Sequence, residues 1–261
     1  MRLVRTLLTA AVAAVAGLAL AVPASAATVN YVALGDSYSS GVGTGDYYGD
    51  SGSCYRSPEA YPAQWAANHG ANLAFDACSG AKTSDVLNNQ LGDLNASTNL
   101  VTISIGGNDA GFSDVISSCT FGSDQSCINR VNTAKAYATG TLPGLLDNVY
   151  NNIHGRAPSA TVVVVGYPHI YQVPGSCSVG LSNTKRTAIN SGSDTLAGVI
   201  SQRASAHGFR FLDGQQTFAG HEICSSDWWL NSLTWPIMES YHPTQDGQIL
   251  GYTPALTAIV G

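Results

Sequence analysis

A serine between a short apolar run and a helix-like stretch is the first residue whose position predicts chemistry. Ser37 stands in Gly35-Asp36-Ser37, directly after the apolar run 29–34. A serine at such a strand-to-helix turn can expose its hydroxyl above a sheet as a nucleophile. The positive end of the helix dipole would favour negative charge that develops beside it. The alternative is a helix N-cap, a position that serine also favours.

A nucleophilic serine needs a base, and His242 occupies the position that such a base requires. Histidine is the usual general base near neutral pH because its pKa is about 6.5. Among six histidines, His242 stands directly before Pro243, in a segment after the last predicted strand. Loops that follow parallel strands gather at the carboxyl edge of the sheet, where Ser37 also lies. We therefore expect His242 and Ser37 to meet.

Two further loops carry groups that could bind a developing oxyanion. Asn108 follows two glycines at the end of a central apolar run, where its side-chain amide could point at the negative oxygen. Gly80, in the loop after the second run, could bring a backbone N–H to the same point. The segment Gly106-Gly107-Asn108-Asp109 is also strong turn chemistry, so a plain turn remains an alternative interpretation of Asn108.

Five short apolar runs rich in β-branched residues would position these loops. The runs 100–105 and 161–166 are apolar on both faces, as is typical of central parallel strands covered by helices. Strand-like and helix-like stretches alternate, which predicts a single α/β domain with a parallel sheet between helices. The predicted strands are 29–34, 73–75, 100–105, 161–166 and 209–212, and the predicted helices are 58–69, 128–154, 183–207 and 243–260.

The first 26 residues have the pattern of a secretory signal peptide. Two arginines precede an apolar stretch at 7–22, and Ala24-Ser25-Ala26 fits the small-residue cleavage rule. The apolar stretch is short for a membrane span of about 20 residues. We therefore predict a secreted, extracellular protein whose folded domain spans 27–261.

The composition excludes several classes of function. Lys and Arg number 11 against 17 Asp and Glu, so nucleic-acid binding through a basic patch is not expected. An apolar fraction of 44% is enough for a sizeable core and excludes disorder. The cysteine and histidine spacings match no metal-binding motif, so no metal and no other cofactor is expected. We also expect a monomer.

Six cysteines lie in the predicted domain, an even number that suits disulfides in an exported protein. Many pairings of six cysteines are possible. The simplest one joins neighbours along the chain, and each bond would then staple loops on one side of the sheet. That pairing is Cys54 with Cys78, Cys119 with Cys127, and Cys177 with Cys224.

Taken together, these blocks resemble the SGNH (GDSL) hydrolase superfamily. Gly35-Asp36-Ser37, Gly80, Gly106-x-Asn108-Asp109 and a histidine before proline at His242 follow the order of that family, over essentially all of 28–261. The resemblance is closest to secreted actinobacterial lipases, esterases and phospholipases A with three disulfides. It implies a flavodoxin-like, three-layer α/β/α sandwich around a five-stranded parallel sheet.

The resemblance also implies a role for each residue. Ser37 would be the nucleophile and His242 the general base, while the oxyanion would accept from the Ser37 N–H, the Gly80 N–H and the Asn108 amide. The family usually has an aspartate three residues before its histidine, where this chain has Glu239. Either the Glu239 carboxylate orients the imidazole, or a backbone carbonyl at Glu239 or Ser240 does so and leaves a Ser–His dyad.

The expected activity is hydrolysis of lipid or other acyl esters through an acyl-enzyme on Ser37. Lipase, phospholipase A and esterase all fit this expectation. One alternative is deacetylation of a polysaccharide or another small-acyl substrate on the same fold, and another is an exported binding module with a dead site. The cluster Trp228, Trp229, Trp235 and Ile237 could line an acyl groove, make a transient lipid-surface contact, or pack a long loop.

Overall fold

The chain folds around one five-stranded parallel sheet with the strand order β2-β1-β3-β4-β5. The computed structural model describes residues 28–261 except 176, 178 and 179, so the predicted signal peptide at 1–26 lies outside the described residues. The predicted sheet is confirmed, and each strand end lies within one residue of its predicted place. The strands are β1 (Asn30–Gly35), β2 (Asn72–Phe75), β3 (Leu100–Ser104), β4 (Thr161–Val165) and β5 (Arg210–Leu212).

The strand order reverses between β1 and β3. From β1 the chain moves outward to β2, and it then returns to place β3 on the other side of β1. Connections after β1 and β3 therefore leave in different directions and open a crevice at the carboxyl end of the sheet. Ser37 follows β1 and Asn108 follows β3, so both candidate residues border this crevice.

Helices cover both faces of the sheet, as the predicted three-layer sandwich requires. On one face, α2 (Tyr61–His69) packs against β2 and against α9 (Thr253–Val260), which also contacts β5. On the other face, α7 (Asn183–Ala206) contacts β4 and β5 and packs against α5 (Asp124–Gly140) and α6 (Leu142–Arg156). Among the described residues, no helix combines the length and the apolar character that crossing a membrane needs.

Shorter elements connect these layers. Of them, the helices α3, α4 and α8 were not expected from the sequence. They are α1 (Ser37–Ser40), α3 (Thr83–Asp85), α4 (Phe112–Phe121), α8 (Gly214–Thr217), two π-helical segments (Val86–Gln90 and Gly247–Tyr252) and two 3-10 turns (Gly52–Cys54 and Ile237–Glu239).

Three predicted helices differ from the structure, each where a proline stands. The stretch 128–154 forms two helices, α5 and α6, because Pro143 fits the first turn of a helix but cannot donate a hydrogen bond within one. The helix predicted from 58 begins at Tyr61, with Pro62 in its first turn. The closing stretch begins as the π-helix and becomes α9 at Thr253, immediately before Pro254.

Three disulfides join the cysteines that are neighbours along the chain, the pairing expected from the sequence. All three lie on loops or helices that follow the carboxyl ends of strands, so they hold the same end of the sheet at which Ser37 lies. The bonds are Cys54–Cys78, Cys119–Cys127 and Cys177–Cys224.

A buried side-chain amide completes the hydrogen bonding of β1 next to the crevice. The β2 pairing ends at Phe75, opposite Ala33, and so stops short of Gly35. There the Gly35 N–H donates to Gln90 Oε1 at 2.7 Å, and Gln90 Nε2 donates to the Gly35 carbonyl at 2.9 Å. Gln90 thus takes the place of a strand partner directly before the candidate nucleophile.

We expect Gln90→Leu to lower the free energy of unfolding by about 1–3 kcal/mol, because it leaves the buried Gly35 N–H without a partner. The Gly35 carbonyl keeps its bond from the Cys78 N–H. Urea unfolding followed by circular dichroism measures the change. Gln125→Leu, on the exposed first turn of α5, is the control and should change the free energy by less than about 0.5 kcal/mol. Equal losses in both variants would contradict the role given to Gln90.

Candidate active site

Ser37 opens helix α1 at the carboxyl end of β1, and Asp36 caps that helix. The Asp36 carboxylate accepts from the Tyr38 N–H at 3.1 Å. The N-cap function that the sequence left open for Ser37 therefore belongs to Asp36, and the Ser37 hydroxyl is left for other contacts. The Ser37 N–H lies in the first turn, where backbone donors have no partner within the helix.

Glycine is required at the residue that ends β1. Gly35 has a φ of +120°, and a Cβ built there would lie 2.4 Å from the backbone oxygen of Ser104 on β3. Any side chain would therefore push the turn away from the sheet. This contact explains why the serine follows a glycine by two residues.

The structure brings His242 to Ser37. His242 Nε2 lies 2.7 Å from Ser37 Oγ, and His242 Nδ1 lies 3.0 Å from the carbonyl oxygen of Ser240. A carbonyl can only accept, so Nδ1 carries the proton and Nε2 accepts from the serine hydroxyl. This is the tautomer that a general base needs in order to take the serine proton.

The structure does not place the Glu239 carboxylate on the imidazole. Glu239 Oε1 instead accepts from the Tyr47 hydroxyl at 2.7 Å. The Ser240 carbonyl reaches the ring because Tyr241 adopts a φ of +64°, which turns the chain sharply between the two residues. Of the three orienting groups that the sequence left open, the geometry selects the carbonyl of Ser240.

The three expected oxyanion donors line one groove with His242. Asn108 Nδ2 donates to the Ala81 carbonyl at 3.0 Å, which fixes the amide and leaves its second N–H available. Gly80 has a φ of +78°, and a Cβ built on it would meet no atom within 4 Å, so its backbone is open to a bound group. The arrangement can receive an anionic oxygen beside the serine.

A buried carboxylate ties the serine loop to the neighbouring strands. Asp36 is 1% exposed and accepts from Ser104 Oγ at 2.7 Å and from the Tyr167 hydroxyl. Burial raises the pKa of Asp36 to about 6, although its hydrogen-bond donors act to lower it. The Tyr167 hydroxyl in turn accepts from the Gly107 N–H at 3.2 Å. The loops that carry Ser37 and Asn108 are therefore held to each other through Tyr167.

Tyr38 holds the histidine loop in a similar way. Its hydroxyl donates to the Tyr241 carbonyl at 2.8 Å, and its ring centroid lies 5.4 Å from that of His242. Burial lowers the pKa of His242 to about 4, so the imidazole is neutral and able to accept a proton at neutral pH. Neither Tyr38 nor Tyr167 was predicted from the sequence as part of the site, since aromatic residues beside a buried strand usually only pack.

Two cavities meet at Ser37 and Asn108. The inner cavity runs between α5 and α7. The outer groove runs between α4 and the segment 233–242 and includes His242. The inner cavity is lined chiefly by apolar side chains, among them Phe112, Val115, Val131, Ala134, Ala138, Ile189 and Leu196. Among the described residues, no three His, Cys, Asp or Glu side chains are grouped so as to hold a metal ion.

The sequence and fold match those of known proteins over nearly the whole chain. Residues 33–249 match the GDSL-like Lipase/Acylhydrolase family. Lipase 1 of Streptomyces coelicolor is 56% identical over 254 residues, which cover 96% of this chain and 94% of that protein.

Two crystal structures have the same fold at high sequence identity. Phospholipase A1 from Streptomyces albidoflavus NA297 superposes with a TM-score of 0.87 at 56% identity, over 89% of this chain and 99% of that chain. The extracellular lipase from Streptomyces rimosus gives a TM-score of 0.87 at 53% identity, over 88% and 99%. These similarities confirm the predicted α/β/α architecture.

We expect His242 to titrate with a pKa of about 4, because partial burial among aromatic rings disfavours the charged ring. NMR titration of the imidazole protons measures this value, and His242→Asn assigns the signal. Glu239→Gln is the matched test of orientation, and it should leave the His242 pKa unchanged because that carboxylate bonds to Tyr47. A His242 pKa near its usual value, or one that falls when the Glu239 charge is removed, would contradict this geometry.

Proposed function

The chain belongs to the GDSL-like Lipase/Acylhydrolase family and is a carboxylic-ester hydrolase, and we propose that it cleaves lipid esters through an acyl-enzyme on Ser37. The observation that carries the proposal is the pair of contacts at His242. One ring nitrogen meets the Ser37 hydroxyl at 2.7 Å while a backbone carbonyl holds the other nitrogen's proton.

In the first half of the reaction, Ser37 Oγ attacks the ester carbonyl carbon as its proton moves to His242 Nε2. The Ser240 carbonyl keeps the ring in place and stabilises the imidazolium that forms. The carbonyl oxygen becomes an oxyanion and accepts from the Ser37 N–H, the Gly80 N–H and the Asn108 amide. His242 then donates its proton to the leaving alcohol, and the acyl group remains on Ser37.

In the second half, water replaces the alcohol. His242 Nε2 takes a proton from the water, whose oxygen attacks the acyl carbon and forms a second oxyanion. Collapse of this intermediate returns the proton to Ser37 Oγ and releases the acid. Asp36 touches no reacting atom in this scheme, and its role is to fix the turn that presents Ser37.

The position of His242 assigns the two cavities to the two parts of an ester. The leaving alcohol oxygen must lie near Nε2, so the alcohol part belongs in the outer groove, which His242 lines. The acyl chain then enters the inner cavity, which begins at Ser37 and Asn108 and does not include His242. Its apolar lining continues from Ser37 to side chains of α5 and α7, and an acetyl group would leave most of that lining uncovered. The inner cavity therefore favours medium or long acyl chains over deacetylation.

Secretion and chain processing form part of the same proposal. Disulfides persist mainly in oxidising compartments, and three are formed here. A relative from Streptomyces rimosus is described as an extracellular lipase. These points support the prediction that residues 1–26 are a signal peptide and that 27–261 act outside the cell. The expected monomer stays a prediction.

We expect Ser37→Ala to lower hydrolysis of acyl esters by about 10⁴-fold or more, because the nucleophile is lost. The measurement uses nitrophenyl esters from acetyl to palmitoyl, together with phosphatidylcholine. Ser205→Ala, on the exposed end of α7, is the matched control and should keep full activity. Cleavage confined to acetyl esters would favour the deacetylase alternative, and activity that survives in Ser37→Ala would rule out the proposed nucleophile.

The acyl cavity gives a separate prediction at Gly192 on α7. Gly192 lines the inner cavity, and a Cβ built there would already contact Val131 Cγ1 at 3.4 Å, so the larger side chain of Gly192→Leu should occupy cavity space. We expect kcat/KM for lauroyl and longer esters to fall about tenfold or more, with butyryl esters changed less than about twofold. Gly198→Leu is the control, since that glycine lies on the exposed side of the same helix. Equal losses for short and long chains would place the acyl chain elsewhere.

A further inference from the structure

Four large apolar side chains stand exposed at or next to the outer groove: Phe121, Leu233 and Ile237 line it, and Trp235 lies between the last two in the sequence. We call this set the apolar rim. They account for four of the seven large hydrophobic residues that are most exposed in the described chain. The exposed fractions are 83% for Phe121, 54% for Leu233, 86% for Trp235 and 59% for Ile237.

The neighbouring tryptophans are not part of the rim. Trp229 stacks on His221 with ring centroids 3.5 Å apart, and Trp228 Nε1 donates to the Ser225 carbonyl at 2.9 Å. Both tryptophans therefore pack their own loop, one of the three roles the sequence left open. Trp235 alone of the three projects into solvent.

The rim is built on constrained backbone. Phe121 ends α4, and the Cys119–Cys127 disulfide ties that end to the first turn of α5. The loop that carries Trp235 is closed by Ser240, whose hydroxyl accepts from the Thr234 N–H at 3.0 Å and donates to the Thr234 carbonyl at 3.2 Å. The exposure is therefore a stable feature of the surface.

The segment that carries most of the rim has few charges in an acidic protein. The stretch 228–238 contains no Asp, Glu, Lys or Arg, with Asp227 and Glu239 at its two ends, while the whole chain has a formal net charge of −6. No Asp, Glu, Lys or Arg side chain lines the outer groove, and His242 is uncharged at neutral pH. A partner recognised through charge would find few opposite charges on this surface, whereas an uncharged apolar layer would find apolar side chains to contact.

We propose that the apolar rim docks the enzyme on the surface of a neutral or zwitterionic lipid aggregate. This inference rests on the proposed function, because the rim lies at the groove in which the alcohol part of the ester is placed. An ester could then move from the lipid layer to Ser37 without crossing water. Ser240 links the proposed lipid contact to the catalytic site. Its hydroxyl closes the loop that carries Trp235, and its carbonyl orients His242.

Vesicle binding tests the proposal without any hydrolysis. The full chain carrying Ser37→Ala is mixed with phosphatidylcholine vesicles, and the bound fraction is measured by flotation. Adding Trp235→Ser should weaken binding about tenfold or more, because a large apolar side chain is lost from the contact. Trp235→Phe should retain most of the binding. Leu250→Ser is the control, since Leu250 is 55% exposed but lines neither cavity.

Brominated phosphatidylcholine adds a direct readout of the contact. It should quench the tryptophan fluorescence of the Ser37→Ala protein, and Trp235→Phe should remove most of that quenching while binding persists. Higher salt should leave binding unchanged, since no ion pairs are involved.

Several results would overturn the proposal that the apolar rim docks on lipid. They are absence of binding to phosphatidylcholine, equal binding by the Trp235→Ser and Leu250→Ser proteins, or binding that requires anionic lipid. A dimer that Trp235→Ser dissociates would also overturn it and assign the rim to a second copy of this chain. Hydrolysis of a soluble butyryl ester by the wild-type protein is measured separately. Vesicle binding without such hydrolysis would count against the proposed function, while the lipid-docking role of the apolar rim would still hold.

Discussion

The need to satisfy one buried negative charge fixes the geometry of this site. A carboxylate removed from water must be surrounded by donors, and those of Asp36 come from three places: the end of β3, the first turn of α1 and the loop after β4. Each donor group therefore has its position set relative to Ser37. The Tyr167 hydroxyl also accepts from the Gly107 N–H, and this bond positions the loop that carries Asn108. The proposed nucleophile and the proposed oxyanion donor therefore share one anchor in the sheet.

The base is held differently, and the difference has an electrostatic consequence. A carboxylate beside an imidazole would favour its charged form, whereas the Ser240 carbonyl carries only a dipole. Partial burial then dominates and lowers the pKa of His242 to about 4. The ring stays neutral under mildly acidic conditions, at which a carboxylate-supported histidine would already be protonated. The proposed base is oriented by a neutral carbonyl, and no carboxylate bonds to its ring.

The sequence was sufficient for features that depend on local pattern. Apolar β-branched runs located the five strands, and the rule that loops gather at the carboxyl edge brought Ser37 and His242 together. The group that orients His242 could not be predicted from the sequence. It depends on a positive φ at Tyr241 and on a hydrogen bond to Glu239 from the Tyr47 hydroxyl, 192 residues away. The different environments of Trp229 and Trp235 were equally hidden, since both stand in one apolar segment and only tertiary contacts separate them.

Ser37 and His242 are 205 residues apart in the chain. Ribosomes make the serine early, on β1, and the histidine only after all five strands have been synthesised. Until the loop of His242 reaches α1, the Ser37 hydroxyl lacks the ring nitrogen that would accept its proton in the proposed mechanism. A chain that ends before this loop would therefore lack the proposed Ser–His pair altogether, and the last segment to be synthesised completes the site.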